Sequence, residues 1–128
     1  MSKSILLLGA ASFCFVITAG AASAADASKE VGTAAAHAGM AAGASDPQMV
    51  KTHLHHVLNC LEGPNGADFA AAAGNPCKDQ GAGAIPDSAA TARPALEEAV
   101  SAAKAGLADM DVTKAKAKAA EAQAILSK

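Results

Sequence analysis

The strongest structural signal in the chain lies in residues 45–63, which read SDPQMVKTHLHHVLNCLEG. Ser45 and Gln48 form a capping-box pattern around Pro47, a residue that suits the first turn of a helix. The segment closes on Gly63 followed by a proline, which is a strong helix stop. The stretch therefore predicts one helix of about four turns.

Successive residues of a helix are rotated by about 100°, and on this basis the segment has three distinct faces. One broad apolar stripe is expected to lie in the core and contains Val50, Leu54, Val57, Leu58 and Leu61. A second stripe, at the border of the core, contains Met49, His53, His56 and Cys60. The remaining face is expected to meet solvent and contains Lys51, Thr52, His55, Asn59 and Glu62.

Three further segments have helical periodicity. The first spans residues 27–42, with an inner face of Val31, Ala35, Ala38 and Ala42. The other two run from Ala89 or Pro94 to Leu107, and from a cap at Asp109 or Asp111 to Leu126. Glycines and prolines interrupt residues 63–87, which predicts a long loop with one short helical turn at residues 67–73. The sequence thus predicts an all-α, up-and-down four-helix bundle with this loop between helices 2 and 3.

The first 24 residues have the pattern of a secretory signal peptide. Lys3 supplies the positive n-region, residues 5–17 the apolar h-region, and Ala22-Ser23-Ala24 the cleavage site. We expect cleavage to leave residues 25–128 as a single domain exported to a bacterial periplasm, without stable membrane insertion. That part carries nine basic and twelve acidic residues, and this mild acidity argues against nucleic-acid binding.

Two cysteines, Cys60 and Cys77, remain after cleavage. In an oxidising compartment an isolated pair most often forms a disulfide, which would pin the long loop onto helix 2. The competing interpretation is that both thiolates coordinate a metal. Alanine dominates the apolar composition and buries little area, so a small domain of this kind needs such a staple.

The histidines suggest a metal site. His53 and His56, at i and i+3, project from one helix face, and helix 1 offers His37 and Met40 at the same spacing. The short turn between the helices should bring His37 near His53 and Met40 near Met49. A histidine and methionine set favours copper, since thioethers select Cu(I), while zinc or nickel can use the imidazoles alone. We therefore predict a periplasmic metal-binding protein for buffering, storage or delivery.

Two alternatives stay open at this point. The histidines can be purely structural in a non-catalytic interaction protein, which would present Phe69 and Ile85 on the loop to a periplasmic protein partner. A b-type haem can be held by His/His or His/Met ligands between helices, although the chain has few aromatic side chains to line a haem pocket. An enzyme is not expected, because no serine or free cysteine lies beside a histidine with an orienting carboxylate.

Overall fold

The computed structural model describes residues 27–128, and within that range the chain is all-helical and has no β-strand. The predicted signal peptide and its cleavage site lie outside these residues. The helices are α1 (Ala27–Gly43), α2 (Pro47–Glu62), α3 (Ala84–Asp87), α4 (Arg93–Ala108) and α5 (Val112–Leu126), with a 3₁₀ turn at Ala71–Ala73. The all-helical prediction is confirmed, and the predicted loop contains the short helix α3, which the sequence interpretation missed.

The ends of the two best-defined helices follow from their capping residues. The carboxylate of Asp46 accepts a hydrogen bond from the amide of Gln48 at 2.9 Å, so Asp46 caps α2 and the prediction of Ser45 was wrong. Asp111 caps α5 in the same way, accepting from the amides of Thr113 and Lys114. An ionised cap also suits the positive end of the helix dipole.

The core is built from many alanines and a few large side chains, most of which come from α2. Helix α1 packs against α2 and α5, while α4 packs against α5 and α2. The predicted apolar stripe of α2 is confirmed, since all five of its members are buried: Val50, Leu54, Val57, Leu58 and Leu61. Gly106 lets α4 approach its neighbours closely, because a Cβ there would lie 3.0 Å from Leu54 Cδ1 and 3.1 Å from the carbonyl oxygen of Ala115.

Helix α1 is rotated relative to the expected face. Its buried residues are Glu30, Ala34, Ala38 and Ala41, whereas Val31, Ala35 and Ala42 are only partly buried beside the core. The carboxylate of Glu30 accepts a hydrogen bond from the amide of Gly83 at 2.9 Å. A buried carboxylate requires such a partner, and this contact ties the loop before α3 to the start of α1.

The loop between α2 and α3 is attached to the helices at several points. The predicted disulfide between Cys60 and Cys77 is confirmed, with Cα atoms 5.2 Å apart. Just after α2, the backbone at Gly63 passes very close to the backbone at Ala82. A Cβ on Gly63 would lie 1.7 Å from the carbonyl oxygen of Ala82. Gly63 has φ 70° and ψ −179°, a region that essentially only glycine occupies.

Within residues 27–128, the apolar stretches of the helices are too short for any of them to cross a lipid bilayer.

The close approach of Gly63 to the backbone of Ala82 predicts that alanine substitutions at two glycines change the stability in opposite directions. Gly63→Ala should lower the free energy of unfolding by at least about 1–3 kcal/mol, from the backbone conformation alone, and by more because the methyl group meets Ala82. Gly32→Ala is the matched control, since nothing lies within 4 Å of a Cβ at this helical position. This control should raise the stability by up to about 1 kcal/mol. Urea denaturation followed by circular dichroism measures both, and shifts of the same sign would contradict the account.

Candidate metal centre

Three histidines from two helices meet at the border of the core. His37 projects from α1, and His53 and His56 project from successive turns of α2. Their ring nitrogens form a group in which each residue offers a ligand atom within 4.8 Å of the others. The prediction that the turn between the helices brings His37 beside His53 is confirmed. We refer to His37, His53 and His56 as the three-histidine centre.

The Nδ1 atoms in this centre have spacings that suit a shared ion. His37 Nδ1 lies 3.0 Å from His53 Nδ1 and 3.4 Å from His56 Nδ1. Two nitrogens bound to one metal at about 2.0–2.1 Å, and separated by a tetrahedral angle, lie about 3.3 Å apart. The two distances from His37 Nδ1 are therefore close to those between ligands in one coordination shell.

The orientation of His56 is fixed by the loop. Its Nε2–H donates a hydrogen bond to the carbonyl oxygen of Ala73 at 2.7 Å. A carbonyl only accepts, so Nε2 carries a proton, and in the tautomer with its one proton there Nδ1 presents a bare lone pair towards His37. Metal-binding histidines are commonly held in this way, by a carbonyl that bonds to the nitrogen not used for the metal.

The number of protons within the centre follows from this tautomer. In this tautomer His56 Nδ1 carries no proton, so a hydrogen bond to it requires a proton on His37 Nδ1. The same proton also serves the 3.0 Å contact with His53 when that ring accepts. One proton can thus join three nitrogens in the metal-free protein, and a cation that replaces it would bind the same lone pairs.

Asn59 holds the loop segment that carries Ala73. Its side-chain amide nitrogen donates to the carbonyl oxygens of Ala70 and Gly74 at 2.9 and 2.6 Å, and its Oδ1 accepts from the amide of Ala70 at 2.8 Å. The sequence interpretation placed Asn59 on the solvent face, and this was wrong because the side chain is fully buried. Asn59 adjoins Cys60, so the amide and the disulfide fix the loop to the same turn of α2.

The electrostatic environment keeps two of the rings neutral. Burial, followed by the proximity of His56 and then of His53, lowers the pKa of His37 to about 4. Burial and then His56 also lower the pKa of His53. Protons therefore compete weakly for these lone pairs at neutral pH, as metal binding by imidazole requires.

The other predicted ligands are two methionines and two cysteines. Met40 and Met49 are 50% and 43% exposed, and their role as ligands stays a prediction. Cys60 and Cys77 are consumed by the disulfide, which removes the alternative of thiolate coordination.

The fourth histidine, His55, is not the freely solvated residue that the sequence suggested. It is half-buried, and its Nδ1 is buried without a hydrogen-bond partner. Burial, with His56 as the second cause, lowers its pKa. It lines a cleft of about 330 Å³ together with Gln48, Thr52, Ala70, Ala72 and Ala73.

Sequence reasoning missed Asn59, Ala73 and Glu30. One signal for Asn59 was available, because a short amide adjacent to a disulfide-forming cysteine is well placed to bond to the loop that the disulfide holds down. The role of Ala73 has no sequence signal, since it uses a main-chain carbonyl that every residue possesses.

No protein-family model matches the chain, and no curated protein or solved structure shows significant similarity to it.

Because the Asn59 side chain holds the loop to α2, removing its amide should reduce the stability substantially. Asn59→Ala removes three partly buried hydrogen bonds to the backbone of Ala70 and Gly74, and should lower the free energy of unfolding by about 2–4 kcal/mol. Asn65→Ala, at an exposed position of the same loop, is the control and should change it by less than about 0.5 kcal/mol. Equal effects in chemical denaturation would show that the Asn59 amide does not hold the loop.

Proposed function

We propose that this protein binds one transition-metal ion at its three-histidine centre and serves in metal buffering, storage or delivery outside the cytoplasm. The observation that carries the proposal is the spacing of the Nδ1 atoms, 3.0 and 3.4 Å from His37 to its two partners. The carbonyl of Ala73, which holds His56 in the ligating tautomer, supports it further.

The donor set favours copper, with zinc and nickel as the next candidates. Neutral imidazoles suit all three ions, and the general affinity order for divalent metals places Cu²⁺ above Ni²⁺ and Zn²⁺. Copper therefore remains the first choice on the strength of the imidazoles alone, without the thioethers that the sequence interpretation added to the centre.

Reversible binding fits the number of ligands better than a permanent structural site. Structural zinc sites are usually closed by four protein ligands, whereas three ligands leave a position open for water or for an exchanging group. All three histidines are only partly buried, so an ion can enter and leave. Buffering or delivery requires this property, and a non-catalytic role needs no further residues.

Export is part of the proposal. The signal-like first 24 residues and the disulfide between Cys60 and Cys77 both support an oxidising compartment, for which a bacterial periplasm is the simplest choice. We also propose that the four long helices form the up-and-down bundle expected from the sequence. The short turns at residues 44–46 and 109–111 support it.

The contacts between the rings favour a single ion over haem. A haem iron with two protein ligands takes them from opposite faces of a planar macrocycle. Here the imidazole rings contact each other directly, with centroids 4.7–5.7 Å apart. A purely structural role for the histidines is the remaining alternative, and it predicts no response to metal.

Thermal unfolding tests the proposal. Cu²⁺ or Zn²⁺ at a hundredfold excess over the dissociation constant should stabilise the protein by about 2.7 kcal/mol if the ion binds only the native state. His37→Ala, His53→Ala and His56→Ala should each lose most of this stabilisation, because each removes one of three ligands. Circular dichroism at increasing temperature measures the shift in Tm.

His55→Ala is the matched control, since it removes the one histidine of α2 that lies outside the centre. This variant should keep most of the metal-induced shift. The proposal fails if no metal shifts the Tm, or if His55→Ala loses as much of the shift as the three centre variants.

A further inference from the structure

The exposed large hydrophobic side chains of residues 27–128 are all methionines. Met40 and Met49 are 50% and 43% exposed, and Met110, at the turn before α5, is 99% exposed. A methionine usually fills gaps in a core, and one that is half exposed or more does little of this. Packing therefore does not account for the presence of thioethers at these surface positions.

Met40 and Met49 lie about one helical turn from His37 and His53, towards the turn between α1 and α2. Met40 follows His37 by three residues on α1, and Met49 precedes His53 by four on α2. At a rise of 1.5 Å per residue, the separations along the helix axes are about 4.5 Å from His37 to Met40 and about 6 Å from Met49 to His53. His37 of α1 contacts His53 of α2. The positions one turn nearer to residues 44–46, which are 40 and 49, therefore lie opposite each other on the two helices.

Thioether and imidazole ligands differ in the ions that they prefer. Thioether sulfur is a soft ligand and selects Cu(I), while imidazole binds divalent copper, zinc and nickel well. We propose that Met40 and Met49 form a soft-metal entry site that binds Cu(I) at the surface, next to the three-histidine centre. Its purpose rests on the proposed function, because an entry site is useful only if the centre behind it takes up the same Cu(I) ion, with no change of oxidation state.

The exposure of the two methionines supports a role in entry. The disulfide and the loop are attached to α2 on the side of Asn59 and Cys60. The turn side, in contrast, presents the exposed positions Met40, Gly43, Ser45 and Met49. The proposed entry site therefore uses thioethers that solvent can reach.

Ag(I), which does not change its oxidation state under these conditions, is the probe for the test, with Cu(I) under anaerobic conditions as a second one. Methionine methyl groups labelled with ¹³C report binding through their NMR shifts. We expect the Met40 and Met49 signals to move on addition of Ag(I), while that of Met110 stays in place. The double variant Met40→Leu/Met49→Leu should bind Ag(I) at least tenfold more weakly, and its affinity for Zn²⁺ should stay within twofold. Leucine is close in volume to methionine, so the fold should tolerate these changes.

Met110→Leu is the matched control, because it removes a fully exposed thioether that is not beside the histidines. An equal loss of Ag(I) affinity in Met110→Leu would overturn the proposal, as would an unchanged affinity in the double variant. An equal loss of Zn²⁺ affinity in the double variant would also overturn it, since the methionines would then merely shape the histidine centre. Ag(I) binding at Met40 and Met49 in a protein that binds no Zn²⁺ or Cu²⁺ would support the soft site and refute the centre.

Discussion

The structure depends on the attachment of one loop segment to the second half of α2. Cys77 is joined to Cys60, and the amide of Asn59 makes three hydrogen bonds with the backbone of Ala70 and Gly74. These bonds place the carbonyl of Ala73 where it accepts from His56 Nε2. The covalent link and the buried amide thus do more than stabilise a long connection, because they determine which nitrogen of His56 faces the centre.

The alanine-rich interior explains how ligands from two helices come so close together. Ala34, Ala38 and Ala41 of α1 are completely buried, and side chains this small allow helices to pack with a short distance between their axes. Large residues on both helices would hold the imidazoles further apart. The same alanines bury little apolar area, so the stability that a larger core would provide must come from other sources, among them the disulfide.

Much of this arrangement could be predicted from the sequence, because it depends on local spacing. The i, i+3 positions of His53 and His56 and the three-residue turn before α2 determine that His37 meets His53. The apolar stripe of α2 and the disulfide between the two cysteines could also be predicted from the sequence. Glu30 could not be predicted, and the adjacent cysteine was the only signal for Asn59. Periodicity describes only the face of a helix, and both side chains bond to a loop whose path depends on long-range contacts. For the same reason, helical periodicity alone placed the wrong face of α1 in the core.

The measurement that tests the central claim most directly is long-range ¹H–¹⁵N NMR of the histidine side chains. The account predicts that His56 in the metal-free protein is protonated on Nε2 and bare on Nδ1. One equivalent of Zn²⁺ should then shift the Nδ1 resonances of His37, His53 and His56 together, and leave His55 unchanged. A proton on Nδ1 of His56, or zinc shifts confined to His55, would contradict it.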